Sequence, residues 1–277
     1  MQRRTLAFRY ILSEQLGEGA VATVWRAYDL VDDRPVAVKL LKDVLDAEDA
    51  ARLQMEVSVV ARLDNPNIIK FLDQGVTTQG QRFVVMELLT GETLRERLVE
   101  KTKIRGMEAL LLLKGVYSAL EEAHRNRVVH RDIKPENVML LYPDNRIKLL
   151  DFGMAKVVGG AVPSVTMSGR LFGTPHYMAP ERIRGSSVHA PADIYSTGVM
   201  AYETLEGNRP FDADNAEEMM RMHLHHEPPE MKQDLDPRLI ELVMASLAKE
   251  PGTRPLAGDA LKTIDDLITN CDKSEGE

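Results

Sequence analysis

The stretch VVHRDIKPENVML, residues 128–140, holds an aspartate, a lysine and an asparagine between two apolar runs, Val128-Val129 and Val138-Met139-Leu140. A surface turn accounts for the polarity but not for the apolar brackets. These residue types suit a transfer to a hydroxyl group. Asp132 can accept the hydroxyl proton, Lys134 can neutralise a migrating phosphoryl group, and Asn137 can hold a metal ion. That chemistry needs a second acidic group, a phosphate cradle and a distant lysine.

Each has a candidate. Asp151, in LLDFGMA, ends an apolar strand and precedes Phe152-Gly153, either as a turn residue or as a Mg2+ ligand. Gly17 and Gly19, in LGEGAVATVWRA, lie between two expected strands. A dinucleotide fingerprint or a P-loop needs a helix next, so both are excluded. A plain hairpin turn and a glycine-rich lid over a triphosphate remain open. Lys39, in RPVAVKLL, has Val36, Val38, Leu40 and Leu41 as strand neighbours. Taken alone it reads as a solvent-face lysine; beneath such a lid it would meet an anionic nucleotide. Glu56, on the following helix, is placed to hold its ammonium group.

The elements that must position these residues fall into two classes. RYILSEQLG, TVWRAYD, PVAVKLL, IIKFLDQG and RFVVMEL are short β-branched or aromatic runs separated by Gly, Asp or Pro, which predicts strands. One helix, from about Asp46 to Leu63, interrupts them and ends at the breaker DNPN. After TGETL the character changes. Leu110, Leu113, Tyr117, Leu120 and His124 recur at helical spacing, and from Ala190 onward helical patterns dominate, as in APADIYSTGVMAYETLEG and PRLIELVMASLAKE. The pattern predicts an α+β protein with a β-rich N-terminal lobe, a helix-rich C-terminal lobe, and a ligand cleft where they meet near MELLTGE.

Composition bounds the function. With 277 residues, 44% hydrophobic and 28% charged, the chain is ordinary for a globular protein. A net charge of −8 argues against a dedicated nucleic-acid binder. No run approaches the roughly 18 apolar residues of a membrane span, and Arg9 and Glu14 interrupt any signal-peptide core. The lone Cys271 excludes an intramolecular disulfide framework and suits a reducing cytoplasm. CDKSEGE reads as a polar tail, 271–277, and nothing in it says whether a longer, membrane-tethered protein continues beyond it.

With these motifs in order, the chain resembles the eukaryotic-like (Hanks-type) Ser/Thr protein kinase catalytic domain, in its bacterial branch, from about Tyr10 to Leu267. The resemblance implies a bilobal fold. An N-lobe over 10–89 would carry a five-stranded antiparallel sheet and one helix, and a mainly helical C-lobe would span 90–270. It implies ATP and Mg2+, with Mn2+ as an alternative, and protein substrates bearing Ser or Thr hydroxyls. Leu16, Gly17, Glu18, Gly19 and Val24 match the glycine-rich loop, whose third glycine is Ala22 here. Lys39 matches the lysine on the α- and β-phosphates, and Glu56 its partner. Met86 falls at the gatekeeper position, Glu87 and Leu89 at the adenine-binding backbone, and Ala37, Val24 and Met139 around the ring. Asp132 matches the catalytic aspartate, Lys134 the γ-phosphate lysine, and Asn137 and Asp151 the metal ligands. Val60, Phe71, His130 and Phe152 resemble the apolar column linking the lobes. Asp193 resembles the aspartate bracing the catalytic loop, and Glu181 and Arg254 the ion pair anchoring the activation segment.

A pseudokinase would lack one of the catalytic groups, all of which stand here. A small-molecule kinase would lack APE and the KPEN context, and a tyrosine kinase would replace the region of Lys134. Thr174 matches the threonine that contacts the catalytic Asp and Lys in Ser/Thr enzymes. Arg131, with Arg52 and Lys156, would form a basic pocket for a phosphate on the activation segment. The site usual in eukaryotic relatives is Arg170 here, so Thr166 and Ser168 are the expected phosphosites, with a homodimer supporting autophosphorylation in trans. His223 and His226 are expected at a solvated helix end rather than in a metal site. Met219, Met220 and Met222 are read as packing or partner-facing residues rather than cofactor contacts, and Trp25 as a packing residue.

Overall fold

The computed structural model describes residues 5–274 except 20, 43, 153–174 and 233. They divide into two compact units. One comprises the residues up to Leu63 with Ile69–Thr90; the other comprises Asp64–Ile68, Gly91–Phe152 and the described residues from Pro175 onward.

The first unit is an antiparallel sheet with one helix. Its strands are β1 (Thr5–Leu6), β2 (Tyr10–Glu18), β3 (Ala22–Asp29), β4 (Arg34–Leu41), β5 (Phe71–Val76) and β6 (Arg82–Glu87). Their spatial order is β1-β2-β3-β4-β6-β5. Five strands are expected from the sequence and six are present. The added β1 is two residues long, pairing Thr5 with Ile11 and Leu6 with Tyr10, too short to show a period. Ala7 and Phe8 make its turn with φ of 48° and 55°.

Strand alternation sorts the sheet's two faces. Val36, Val38 and Leu40 of β4 point to a core with Leu12, Phe83 and Val85. Trp25, half-buried, packs against it as expected. Ala37 and Lys39 therefore point the other way. Helix α1 (Ala47–Val60) carries Glu56 and begins at Asp46, whose carboxylate accepts from the Asp49 amide at 2.8 Å.

The second unit is helical around α5. Its elements are β7 (Gly91–Thr93), α2 (Leu94–Lys101), α3 (Gly106–Arg125), β8 (Val138–Leu141), β9 (Ile147–Leu149), α4 (Pro180–Ile183), α5 (Ala190–Glu206), α6 (Ala216–His225), α7 (Pro237–Ser246) and α8 (Ala257–Ser274). Strands β7, β8 and β9 form a three-stranded antiparallel sheet. Of the predicted stripe on α3, Leu110, Leu113, Tyr117 and Leu120 are buried and His124 is half-buried. In α5 every residue from Ala192 to Glu206 except Ser196 is buried, the mark of a helix with no solvent face. Gly198 lets it approach α7: a Cβ there would stand 2.8 Å from the Ser246 Cβ. Gly207, at φ 85°, closes the helix in the left-handed conformation.

One expectation is overturned in this unit. His223 is fully buried at 0% exposure, not solvated; its Nδ1 lies 2.9 Å from the Tyr195 hydroxyl and its ring packs edge-on to Phe211. The apolar partners lie far away in sequence, so the local pattern RMHLHHEPP could not reveal them. Met219 is buried beside it, as a packing residue.

Candidate active site

Of the apolar brackets of VVHRDIKPENVML, Val128, Val138 and Leu140 are buried, and Val129 and Met139 are half-buried. Ile133, Val138 and Leu140 are each at most 1% exposed, and they pull the loop into the core while Asp132 and Lys134 keep a third of their side-chain surface in solvent. Between them Pro135–Asn137 forms a 3-10 turn. The Lys134 Nζ lies 2.8 Å from the Asp132 Oδ2. Asn137 donates through Nδ2 to the same oxygen at 3.0 Å and to the Asp132 carbonyl at 2.7 Å. Burial alone would raise the Asp132 carboxyl, but the charge and hydrogen bond of Lys134, with the Asn137 amide, outweigh it and hold the group below its ordinary range. The aspartate is therefore ionised and aimed, as a proton acceptor must be.

The loop behind it is fixed by two buried groups. Asp193, in the first turn of α5 and 1% exposed, accepts from the amides of His130 and Arg131 at 2.8 Å each, and lies 2.9 Å from the His124 Nε2. This is the bracing role expected for it. His130 is 0% exposed, and burial lowers its imidazole pKa, so the ring is neutral. Its Nδ1 accepts from the Asp132 amide at 3.2 Å, which leaves Nε2–H to donate to the Leu150 carbonyl at 2.6 Å.

Leu150 precedes Asp151, and its amide donates to the Asn137 carbonyl at 2.8 Å, so Asn137 and Asp151 are tied through backbone. Asp151 has φ 58°, in the left-handed region that aspartate tolerates better than most residues. Phe152 is buried against His130, with ring centroids 4.5 Å apart. Because Asn137 spends its Nδ2 on Asp132, its Oδ1 is the ligand atom left to offer. An amide oxygen and a carboxylate suit magnesium, which takes a few protein oxygens and completes its shell with water and phosphate. Among the described residues no three His, Cys, Asp or Glu side chains converge into a cage of their own.

In the first unit, register gathers the expected nucleotide residues. Val24 pairs with Lys39, Lys39 with Val84, and Ala37 with Met86, so Val24, Ala37, Lys39 and Met86 share the sheet face opposite the core cluster. Gly17 pairs with Val24, and Gly19 donates to the Ala22 carbonyl at 2.8 Å, which makes the β2–β3 connection a tight hairpin. Leu16 is exposed at its start, and Glu18 pairs with Lys42 at 2.6 Å. Glu87 accepts from the Lys70 amide through Oε1 and donates its own amide to the Lys70 carbonyl. Leu89 follows β6 and is half-buried. Val60 and Phe71 are both buried in this unit. Met139, on β8 of the second unit, is half-buried and pairs with Thr93 and Lys148.

Glu181 and Arg254 form the expected pair, at 2.7 and 2.9 Å through both guanidinium nitrogens. Arg52 engages Glu48 and Asp49 on its own helix. Gly153, Lys156, Thr166, Ser168, Arg170 and Thr174 lie outside the described residues. Sequence reasoning missed a cluster at the loop's flank. Arg95 donates to Glu136 at 3.0 Å and to Glu203 at 2.9 Å, and Tyr177 donates to Glu203 at 2.5 Å. Its members come from four separate segments, so no local pattern signals it.

A lysine-held aspartate beside oxygen donors suits transfer of a phosphoryl group to a hydroxyl, and a curled antiparallel sheet followed by a helical unit is the architecture of the protein kinases. The chain belongs to the protein kinase domain family, which it matches over residues 10–264. It is 35% identical over 271 residues to the serine/threonine-protein kinase pkn3 of Myxococcus xanthus, covering 94% of this chain and 50% of that protein. It is 36% identical to PknL of Mycobacterium tuberculosis over 259 residues, covering 92% and 64%. PknA of the same organism is 37% identical over 260 residues, covering 92% and 60%. The chain thus spans between half and just under two thirds of the length of these relatives.

Proposed function

We propose that this chain transfers the γ-phosphoryl group of ATP to serine and threonine hydroxyls of proteins, its own activation segment included. The observation carrying this reading is the Asp132 carboxylate, ionised and held by Lys134 and Asn137 at the rim of a buried loop. Lys39 would hold the α- and β-phosphates beneath the hairpin of Leu16–Gly19, with Glu56 supporting it. Val24, Ala37, Met86 and Met139 would enclose the adenine, and the backbone of Glu87 and Leu89 would bond its edge. Asp132 orients the acceptor hydroxyl and takes its proton as the new O–P bond forms. Lys134 meets the charge that develops on the migrating group. Magnesium, or manganese in its place, held by Asn137 and Asp151, would supply charge neutralisation at the phosphate oxygens.

On this reading the lobes run over 10–89 and 90–270. Thr174 selects Ser/Thr acceptors, and Thr166, Ser168 or both take phosphate in trans from a second copy, pairing with Arg131. Among the described residues no helix is long and apolar enough to cross a membrane. A cytoplasmic domain, in a full-length protein tethered elsewhere, fits this reading. The test is transfer of label from radioactive ATP to a generic acceptor protein, followed by acid hydrolysis. Phosphoserine and phosphothreonine are expected; predominant phosphotyrosine, or full labelling by Asp151→Ala, would overturn the assignment. Mass spectrometry of the chain incubated with ATP, against Thr166→Ala/Ser168→Ala, tests the phosphosites.

A further inference from the structure

Arg182 follows directly on the buried Glu181 in α4, and its surroundings are unusual for an arginine. It is half-buried, and among the described residues no carboxylate lies within ion-pair distance. Burial lowers its pKa, and the charges of Asp132 and Asp193 act against that burial from nearby. The hydrogen bond its guanidinium makes is to the backbone carbonyl of Arg131. Placing a half-buried cation on a carbonyl rather than a carboxylate is costly, so the carbonyl must gain something in return.

Arg131 is the residue immediately before Asp132, and it holds φ 71°, a left-handed conformation that a branched or long side chain rarely adopts. Its amide is held by the Asp193 Oδ1 at 2.8 Å. Its carbonyl belongs to the peptide whose N–H, on Asp132, donates to the His130 Nδ1. Asp193 therefore fixes the peptide entering Arg131, while Arg182 and His130 grip the peptide leaving it from its two polar ends. That second peptide sets the direction in which Asp132 leaves the backbone. Because Arg182 shares a four-residue helix with Glu181, and Glu181 is locked to Arg254, the seating of α4 is tied to the aim of the aspartate.

We infer that Arg182 is a positioning residue for phosphoryl transfer: it holds the Arg131–Asp132 peptide and so couples the anchored helix α4 to the orientation of the Asp132 carboxylate. This rests on the function proposed above. It touches no reacting atom itself.

The test compares Arg182→Met, which keeps the length and loses the donor, with Arg182→Lys, which keeps a charged donor. Wild type and Asp132→Asn run alongside. With the donor gone, kcat falls by roughly one to two orders of magnitude, the range expected when a catalytic group is slightly misaimed. KM for ATP stays within about twofold, because no nucleotide contact changes. Arg182→Lys recovers most of kcat. The melting temperature of Arg182→Met equals or exceeds wild type, since a half-buried cation without a carboxylate has been removed. Wild-type kcat in Arg182→Met overturns the inference, as does a kcat loss that tracks a falling melting temperature equally in both variants. Absent labelling by wild type itself would instead sink the proposed function, so the two failures are separable.

Discussion

Removing the guanidinium of Arg254 is the sharpest test of what holds the second unit together. Its side chain is 0% exposed and that of Glu181 11% exposed. Arg254 donates to both Glu181 oxygens and to the carbonyls of Ala248, Pro191 and Lys249, and stacks over the Tyr195 ring at 4.9 Å. Arg254→Met leaves a buried carboxylate without its counter-charge and three carbonyls without their donor. Breaking one side of a buried pair costs about 3–5 kcal/mol. At about 2–4 °C per kcal/mol for a chain of this size, the melting temperature should fall by roughly 6–20 °C. The double variant Glu181→Leu/Arg254→Met removes both charges and should regain most of that loss, while staying poor at transfer if the pair positions the activation segment. Thermal denaturation of wild type, both single variants and the double variant gives the coupling directly. A single Arg254→Met that melts within about 1 kcal/mol of wild type, or a double variant no better than the worse single, would refute this reasoning.

Other outcomes follow from the same geometry. Lys39→Met and Asp132→Asn should each leave a protein that melts near wild type with transfer at background; a folded Lys39→Met protein that transfers normally would remove the nucleotide role of Lys39. The Asp132 carboxyl is held below its ordinary range chiefly by Lys134, once burial is overcome, so its ion pair contributes stability above the unfolded aspartate range and loses it as pH falls through the lower folded value. Lys134→Met should move that titration upward in a carboxyl-resolved NMR experiment, and an unmoved titration would contradict the assignment. Burial, with Lys249 adding to it, pushes the His223 imidazole down to about 3 from 6.5. The unfolded chain thus binds a proton the fold refuses, and stability drops by about 1.4 kcal/mol per pH unit below 6.5 until it levels near the folded value. Between pH 6.5 and 5 that is about 2 kcal/mol, and His223→Leu should lack this part of the slope in denaturant unfolding at the two pH values.

What the sequence made legible was what local pattern can encode. Strand alternation in PVAVKLL already separates Lys39 from Val38 and Leu40, and the sheet keeps that separation. Val128, Val138 and Leu140 of the apolar brackets around Asp132 are buried, and the spacing from Asp132 to Asn137 is short enough for one turn to close them together. The losses are one very short strand and two tertiary contacts. The strand Thr5–Leu6 exists only through its pairing with Tyr10 and Ile11. His223 is buried by Tyr195 and Phe211, neither of which its neighbours announce. Nothing near Arg182 in the sequence signals its hydrogen bond to the Arg131 carbonyl. For His223 and Arg182 the deciding partners, Tyr195 and the Arg131 carbonyl, stand 28 and 51 residues away, whereas β1 escapes notice because a two-residue strand shows no period.

Helix α5 carries acids at both ends. Asp193 in its first turn holds the peptides of His130 and Arg131, and Glu203 and Glu206 in its last turns meet Arg95, Arg105 and Lys232. Since nearly every residue between them is buried, the rod has no idle side on which length could change unnoticed. Adding or deleting one residue within it would turn one end against the other by about 100°, parting either the loop peptides or the flanking arginines from their acids. Exchanges of side chain at fixed length leave both ends in register, whereas a change of length is accommodated only in the loops on either side of the helix. The helix acts as a ruler whose graduations are carboxylates, and the distance it keeps is counted in whole turns.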